Sequence, residues 1–335
     1  MRNSYTEIIP RSEDRILMRD YLAKITSEET IAEIYRGLTE KQKSISSKYF
    51  YDARGSKLFE KITMLPEYYP TRTEKSILKK IAPGLANDLS NCDIVELGSG
   101  DCSKISILLN AIQTYNIDTL RYIPVDVSRE AIQNSAGELA ARFPGMTILG
   151  MLADFMKHIE NIPGENNRLI CFFGSTIGNL DPGHAIRLLT DIRRIMKPGD
   201  QLLVGMDRVK DEHIMVKAYN DSENITARFN RNILNVVNRY TGTYFNPEAF
   251  EHLAGFNRRE SRIEMHLKAK EDLTIRFPSE NATVRIRKGE TIHTENSYKY
   301  TLQHIRNFET KTGLKIRNIY TDPDNWFSLV RFSLR

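Results

Sequence analysis

The run Asp93-Ile-Val-Glu-Leu-Gly-Ser-Gly-Asp-Cys-Ser-Lys104 restricts what this chain can fold into more than any other, because an apolar strand empties directly into a two-glycine turn. Gly98 and Gly100 let the backbone pass close to a ligand where a side chain would collide, and the residues from Ser103 to Ala111 predict a helix whose N-terminus faces the turn. Strand, glycine turn and helix in that order form a nucleotide-type pocket of an α/β sheet. Glu96, two residues ahead of Gly98, narrows the ligand. A carboxylate at the strand end suits a cation better than a pyrophosphate, and Ser103 stands where a G-x-G-x-x-G dinucleotide fingerprint would carry its third glycine.

Four more apolar runs follow. Tyr122-Ile-Pro-Val-Asp126 closes on a carboxylate suited to ribose hydroxyls, and Met146 to Phe155 ends in an Asp-Phe pair. Asp154 is suited to an adenine amino group and Phe155 to the ring face. Each aspartate alone also reads as a helix cap or a turn. Leu169-Ile-Cys-Phe-Phe173 and Leu202-Leu-Val-Gly-Met206 complete a set of five strands separated by amphipathic stretches, which implies a mostly parallel sheet with its ligand at the carboxyl ends. Leu314 to Tyr320 and Trp326 to Leu334, around Thr321-Asp-Pro-Asp-Asn325, predict a terminal antiparallel hairpin. The E-L-G-S-G turn resembles the first motif of Rossmann-like methyltransferases. Their S-adenosylmethionine, with its positive sulfonium and amino groups, is the cofactor expected, leaving as S-adenosylhomocysteine.

A second, smaller α+β lobe is expected outside that sheet. Ser27 to Leu38, capped by Ser27 or Thr26, and Asn224 to Tyr240 read as amphipathic helices, the latter with Ile225, Phe229, Ile233, Val236 and Val237 on one face. Ser261 to Lys268 alternates strictly, Leu273 to Phe277 and Ala282 to Arg287 do likewise, and Thr291 to Tyr298 follows a Lys-Gly-Glu turn, so a small antiparallel sheet is expected. The expected division is a tail at 1–20, a substrate lobe of 21–71 and 210–298, and a methyltransferase core of 72–209 and 299–335. Cys92, Cys102 and Cys171 lack C-x-x-C spacing and the histidines show no H-x-x-x-H pair, so neither a disulfide framework, a zinc site nor a catalytic metal is expected. Cys102, in the turn itself, reads as a small packing residue before a reactive one. The net charge of +5 is mild, and Arg258-Arg259 and Arg285-Ile-Arg-Lys288 are scattered, which argues against a nucleic-acid stripe. No apolar run is long enough to span a bilayer and Met1-Arg-Asn-Ser lacks a signal peptide's apolar segment; a cytoplasmic monomer without a membrane role is expected.

The most distinctive run lies in the smaller lobe, from Lys48-Tyr-Phe-Tyr-Asp-Ala-Arg-Gly to Pro-Glu-Tyr-Tyr-Pro-Thr-Arg-Thr-Glu74. With E-L-G-S-G, F-F-G-S-T-I-G-N-L, A-Y-N-D, R-I-E-M-H-L and H-T-E-N-S-Y-K-Y, it closely resembles the histidine-specific methyltransferases of ergothioneine biosynthesis, from about Tyr49 to the C-terminus. The resemblance implies that Tyr51 and Tyr68 lie near the substrate's α-amino group, that Asn179 and Tyr219 hold its carboxylate, that Glu295 and Ser297 grip the imidazole and that Met265 lines the side-chain pocket. On the cofactor side it implies Gly98, Lys104, Asp126, Asp154 and Phe155. It implies three methyl transfers to the α-nitrogen of L-histidine, giving hercynine. Read from the residues alone, Thr294-Glu-Asn-Ser is equally a helix start, Met265 a core methionine, and Tyr68-Tyr69 a staple between lobes. A methyltransferase for another amino acid or small amine, and a non-catalytic cofactor sensor, are the alternatives.

Overall fold

The five apolar runs have side chains buried on both faces, as strands in the middle of a covered parallel sheet must. They are β4 (Cys92–Leu97), β5 (Arg121–Asp126), β6 (Thr147–Leu152), β7 (Asn167–Phe172) and β8 (Gln201–Asp207). The computed structural model describes residues 5–8, 15–22, 27–87, 89, 91–112 and 117–335. The chain divides into two units, the first made of Met1–Ala23, Pro70–Val209 and Tyr300–Arg335, the second of Lys24–Tyr69 and Lys210–Lys299.

Among the described residues of the first unit, these five strands with β1 (Tyr5–Ile8), β2 (Ile16–Asp20), β14 (Lys315–Thr321) and β15 (Phe327–Ser333) form one sheet in the order β1-β2-β6-β5-β4-β7-β8-β15-β14. Every pair from β2 to β8 is parallel. The C-terminal hairpin, β14 (Lys315–Thr321) and β15 (Phe327–Ser333), adds antiparallel to β8. The strand order reverses at β4, whose neighbours β5 and β7 lead in opposite directions, so the carboxyl ends of β4 and β7 open the crevice where such sheets bind ligands. Ile94, Tyr122, Ile148, Leu169 and Leu203 share one core with Leu78, Leu108 and Leu139.

Residues 1–20, expected as a tail, contribute β1 (Tyr5–Ile8) and β2 (Ile16–Asp20) to this sheet. β2 pairs with β6 from Ile16 opposite Ile148 to Asp20 opposite Leu152, and Met18 is buried against Ile132 and Leu152. The charged composition of the segment hides a strand of five residues with one buried side chain. Nearer the glycine turn, the helix expected over Ser103 to Ala111 is shorter, Ile105–Leu109, and the proposed cap Thr26 lies outside the described residues.

The second unit is built on the helix Ile225–Thr241, which buries Ile225, Phe229, Ile233, Val236 and Val237 as its periodicity requires. Phe229 stacks on Phe50 with ring centroids 4.5 Å apart. Asp221 caps the helix by accepting from the backbone N–H of Ile225 and Thr226 at 2.8 and 2.7 Å. A four-stranded sheet runs in the order β3-β13-β10-β9, from β3 (Lys43–Ser44), β13 (Thr291–Tyr298), β10 (Arg262–Ala269) and β9 (Phe250–Asn257). The other two alternating runs, β11 (Leu273–Phe277) and β12 (Ala282–Ile286), form a separate two-stranded ribbon instead of joining it. Thr294 to Ser297 lies inside β13, with Glu295, Asn296 and Ser297 paired to Met265, Glu264 and Ile263 of β10, which removes the helix-start alternative.

Candidate active site

In the first unit the expected cofactor residues gather at the carboxyl ends of β4, β5 and β6. Gly98 and Gly100 both adopt left-handed backbone, with φ of 65° and 47°, where a Cβ is strained. Space is not the constraint: a Cβ on Gly98 would meet only the edge of the Phe155 ring at 3.8 Å, and one on Gly100 would meet nothing within 4 Å. Asp126 ties the turn to β5, accepting from the N–H of Gly100 at 3.1 Å and of Ser128 at 2.9 Å. Burial pushes its carboxyl up despite those two donors. Glu96 is buried and accepts from the Tyr122 hydroxyl at 2.6 Å. Burial pushes its carboxyl up to about 8, against the pull of that hydroxyl and of Lys104. Asp154 caps the short helix Phe155–His158 by accepting from the Met156 N–H at 2.9 Å, so the cap alternative holds for this residue, and Phe155 meets Phe172 edge to face at 5.3 Å. Cys102 is buried and its thiol is pushed up to about 12 by burial, which makes it a packing residue.

Sequence reasoning missed Glu74 here. This carboxylate is fully buried, accepts from the Gly174 N–H through both oxygens at 3.0 and 2.8 Å, and pairs with Lys104 Nζ at 2.9 Å. It therefore ties the lysine after the glycine turn to the loop after β7, the loop that carries Asn179 at its far end. A Cβ on Gly205 would lie 2.1 Å from the Glu74 carboxylate, so that glycine makes room for it. Nothing at helical or strand spacing singles Glu74 out, because its partners come from distant strands.

In the second unit, Met265 and Glu295 stand opposite each other across β10 and β13, at the point where the register shifts between Met265 and His266. Glu295 is buried and its carboxyl is pushed up to about 7 by that burial, with Lys299 pulling it down. Glu295, Ser297 and Lys299 follow at strand period, on one face. The Tyr219 hydroxyl lies 2.7 Å from Ser297 Oγ, and Lys299 Nζ donates to both at 2.9 Å. A line of edge-on rings, Tyr51 to Phe59 to Tyr68 to Tyr219, spans the rest, with centroid distances of 5.7, 6.2 and 6.2 Å. Tyr51 is at its more exposed end, while Tyr68 is buried. Asn179, by contrast, belongs to the first unit, half-buried in the 3-10 turn Thr176–Asn179. Behind this face, His252 holds the backbone carbonyl of Tyr219 at 2.8 Å, and Asn230 joins His252 to Thr294, the neighbour of Glu295. Lys299, like Glu74, was missed; the E-x-S-x-K alternation was the signal that could have found it.

Among the described residues no group of three or more histidine, cysteine, aspartate or glutamate side chains is arranged to hold a metal, and no helix is long and apolar enough to cross a membrane. Residues 30–334 match the family described as histidine-specific methyltransferase, SAM-dependent. The chain is 39% identical over 313 residues to the histidine N-alpha-methyltransferase of Mycolicibacterium smegmatis, covering 93% of this chain and 97% of that protein. It is 39% identical over 297 residues to the protein of the same name from Mycobacterium tuberculosis, covering 89% and 92%. A fungal relative, the N-methyltransferase fsqC of Aspergillus fumigatus, is 28% identical over 308 residues, covering 89% and 82%. With the Rossmann-like sheet, the glycine turn at its switch point and a match over nearly the whole length, the chain belongs to the family of histidine-specific, S-adenosylmethionine-dependent methyltransferases.

Proposed function

We propose that this protein transfers methyl groups from S-adenosylmethionine to the α-amino nitrogen of L-histidine, three per substrate molecule, giving hercynine for ergothioneine biosynthesis. The observation that carries the choice of substrate is Glu295, a buried carboxylate on a strand face beside Ser297 and opposite Met265. An imidazole N–H finds a charge-assisted acceptor there, whereas an aliphatic side chain would leave the carboxylate buried and unpaired. Sites that hydrogen-bond a substrate group reject analogues lacking it by orders of magnitude, roughly 10⁴ in good cases.

The residues of the first unit fit the cofactor. The left-handed turn has open space over Gly100 and only the Phe155 ring edge near Gly98, Ser99 Oγ between them is buried without a hydrogen-bond partner, and Glu96 and Asp126 supply carboxylates for a cation and a ribose. Lys104, Asp154 and Phe155 complete this cofactor set in the proposal. When bound, S-adenosylmethionine supplies the electrophilic methyl group. The chain's own task is to hold the amine neutral and oriented, since a protonated ammonium has no lone pair. Tyr68 and Tyr51 accept or relay the amine's protons. A chain-terminal α-amino group titrates around 8 and that of a free amino acid somewhat higher, so solvent takes part of that load while the phenols orient the nitrogen. Asn179 and Tyr219 hold the carboxylate, which does not react. The aromatic faces along Tyr51, Phe59 and Tyr68 favour a fixed cation as product.

Calorimetric titration of L-histidine into protein saturated with S-adenosylhomocysteine tests this reading. Saturable binding is expected, weakened about ten- to a hundredfold by Glu295→Ala, with no such loss for leucine, which has no N–H to donate. An equal loss for every amino acid would return Glu295 to a purely structural role.

A further inference from the structure

Lys299 is 1% exposed, yet an ammonium is a group that proteins seldom bury. Its place is fixed from two sides. Its backbone N–H donates to the Ser261 carbonyl at 2.7 Å, extending the pairing of β13 beyond Tyr298, and its Nζ lies 4.7 Å from the centroid of the Tyr219 ring. Nζ, Tyr219 Oη and Ser297 Oγ form a triangle with sides of 2.9, 2.9 and 2.7 Å. An ammonium only donates, so both hydroxyl oxygens act as acceptors toward Lys299. The short side of the triangle takes one hydroxyl hydrogen. The other hydroxyl hydrogen has no acceptor left inside the triangle and must point out of it.

We propose that Lys299 is a positioning residue for the amino-acid substrate: by holding Tyr219 and Ser297 as its acceptors, it makes them one directed O–H donor for an acceptor atom of the bound amino acid. The inference rests on the function proposed above and deepens it, because it joins the residue assigned to the carboxylate and the residue assigned to the imidazole into a single device. Without the ammonium, each hydroxyl is free to rotate and to donate to the other, and the direction is lost. The charge also reaches Glu295, two strand positions away on the same face, where it favours the ionised form that accepts an N–H.

The alternative is that Lys299 merely fills space, in which case an apolar side chain of the same length serves as well or better. Lys299→Met separates the two. The proposal expects the KM for L-histidine to rise about tenfold or more with kcat changed much less, S-adenosylhomocysteine affinity unchanged, and the thermal midpoint not lowered. In that background Tyr219→Phe should add less than about threefold to KM, because the device is already broken. A histidine KM within about twofold of wild type in Lys299→Met overturns the proposal. If Lys299→Met does not fold, a cycle in the original chain decides: Tyr219→Phe and Ser297→Ala should together cost about what either costs alone, and multiplying penalties would overturn the single-device account. Failure of the original chain to bind histidine at all would instead defeat the proposed function.

Discussion

Glu96 shows what one buried carboxylate contributes at the end of a central strand. At neutral pH its proton is held by burial, with Asp101 and Glu74 adding to the effect of burial and Tyr122 and Lys104 opposing it. A cationic ligand reverses that balance, so binding should ionise Glu96 and release a proton. The affinity for S-adenosylmethionine is therefore expected to tighten as pH rises from about 6.5 to 8.5, and Glu96→Gln should flatten that dependence; calorimetry in buffers of different ionisation enthalpy reads both. Glu295, raised by burial like Glu96, carries a consequence for stability that runs the other way with pH. A carboxyl whose folded value is raised to about 7 favours the folded state while protonated, and that contribution is lost as pH climbs from the usual carboxylate range through 7. In ligand-free protein the thermal midpoint of Glu295→Gln should gain on that of the original chain between pH 5 and 8, by up to about 3 kcal/mol in stability. A constant difference would mean that Glu295 titrates normally. Strand-end acids such as Glu96 and Asp126 were legible in the sequence because a glycine turn or an apolar run announces them. Glu74 was not, because its partners Gly174 and Lys104 are brought to it only by tertiary structure, and Lys299 shows in the sequence only through its alternation with Glu295 and Ser297.

At the scale of elements, continuous apolar runs and strict alternation were readable wherever burial is uniform along a strand. β4 to β8, β10, β11 and β12 lie where the pattern put them. β9 escaped notice because Phe250-Glu-His-Leu-Ala-Gly-Phe-Asn does not alternate, its pairing coming from β10 alone. β13 was ambiguous as sequence, since its polar side chains Thr294, Glu295 and Ser297 are buried for reasons other than apolar packing. The long helix of the second unit depends on a cap that lies in the A-Y-N-D run. Burial works against the charge of Asp221, but donors from Thr226 and Ile225 prevail and hold its carboxyl below the usual range. Asp221→Ala is expected to cost about 1 to 2 kcal/mol, read as a lower urea midpoint with an unchanged slope. As a depressed acid, Asp221 contributes stability that is present above its ordinary titration range and lost as pH falls below it. An unchanged midpoint for Asp221→Ala would show that the helix Ile225–Thr241 is held by its apolar face alone.

For the molecule as a whole, the class of fold followed from five strands, a switch point and a C-terminal hairpin. The sheet nevertheless extends further than expected, through β2 and β1. The expected cofactor residues fall in one unit and Tyr51, Tyr68, Tyr219, Met265, Glu295 and Ser297 in the other, a division that composition alone does not reveal. In the proposed reaction the α-nitrogen of histidine receives the methyl groups. Fragmentation mass spectrometry of L-histidine incubated with the protein and S-adenosylmethionine tests it most directly. The expected product carries three added methyl groups, all on the α-nitrogen and none on the ring. Methylation of an imidazole nitrogen, or unchanged histidine beside a different methylated amino acid, would contradict it.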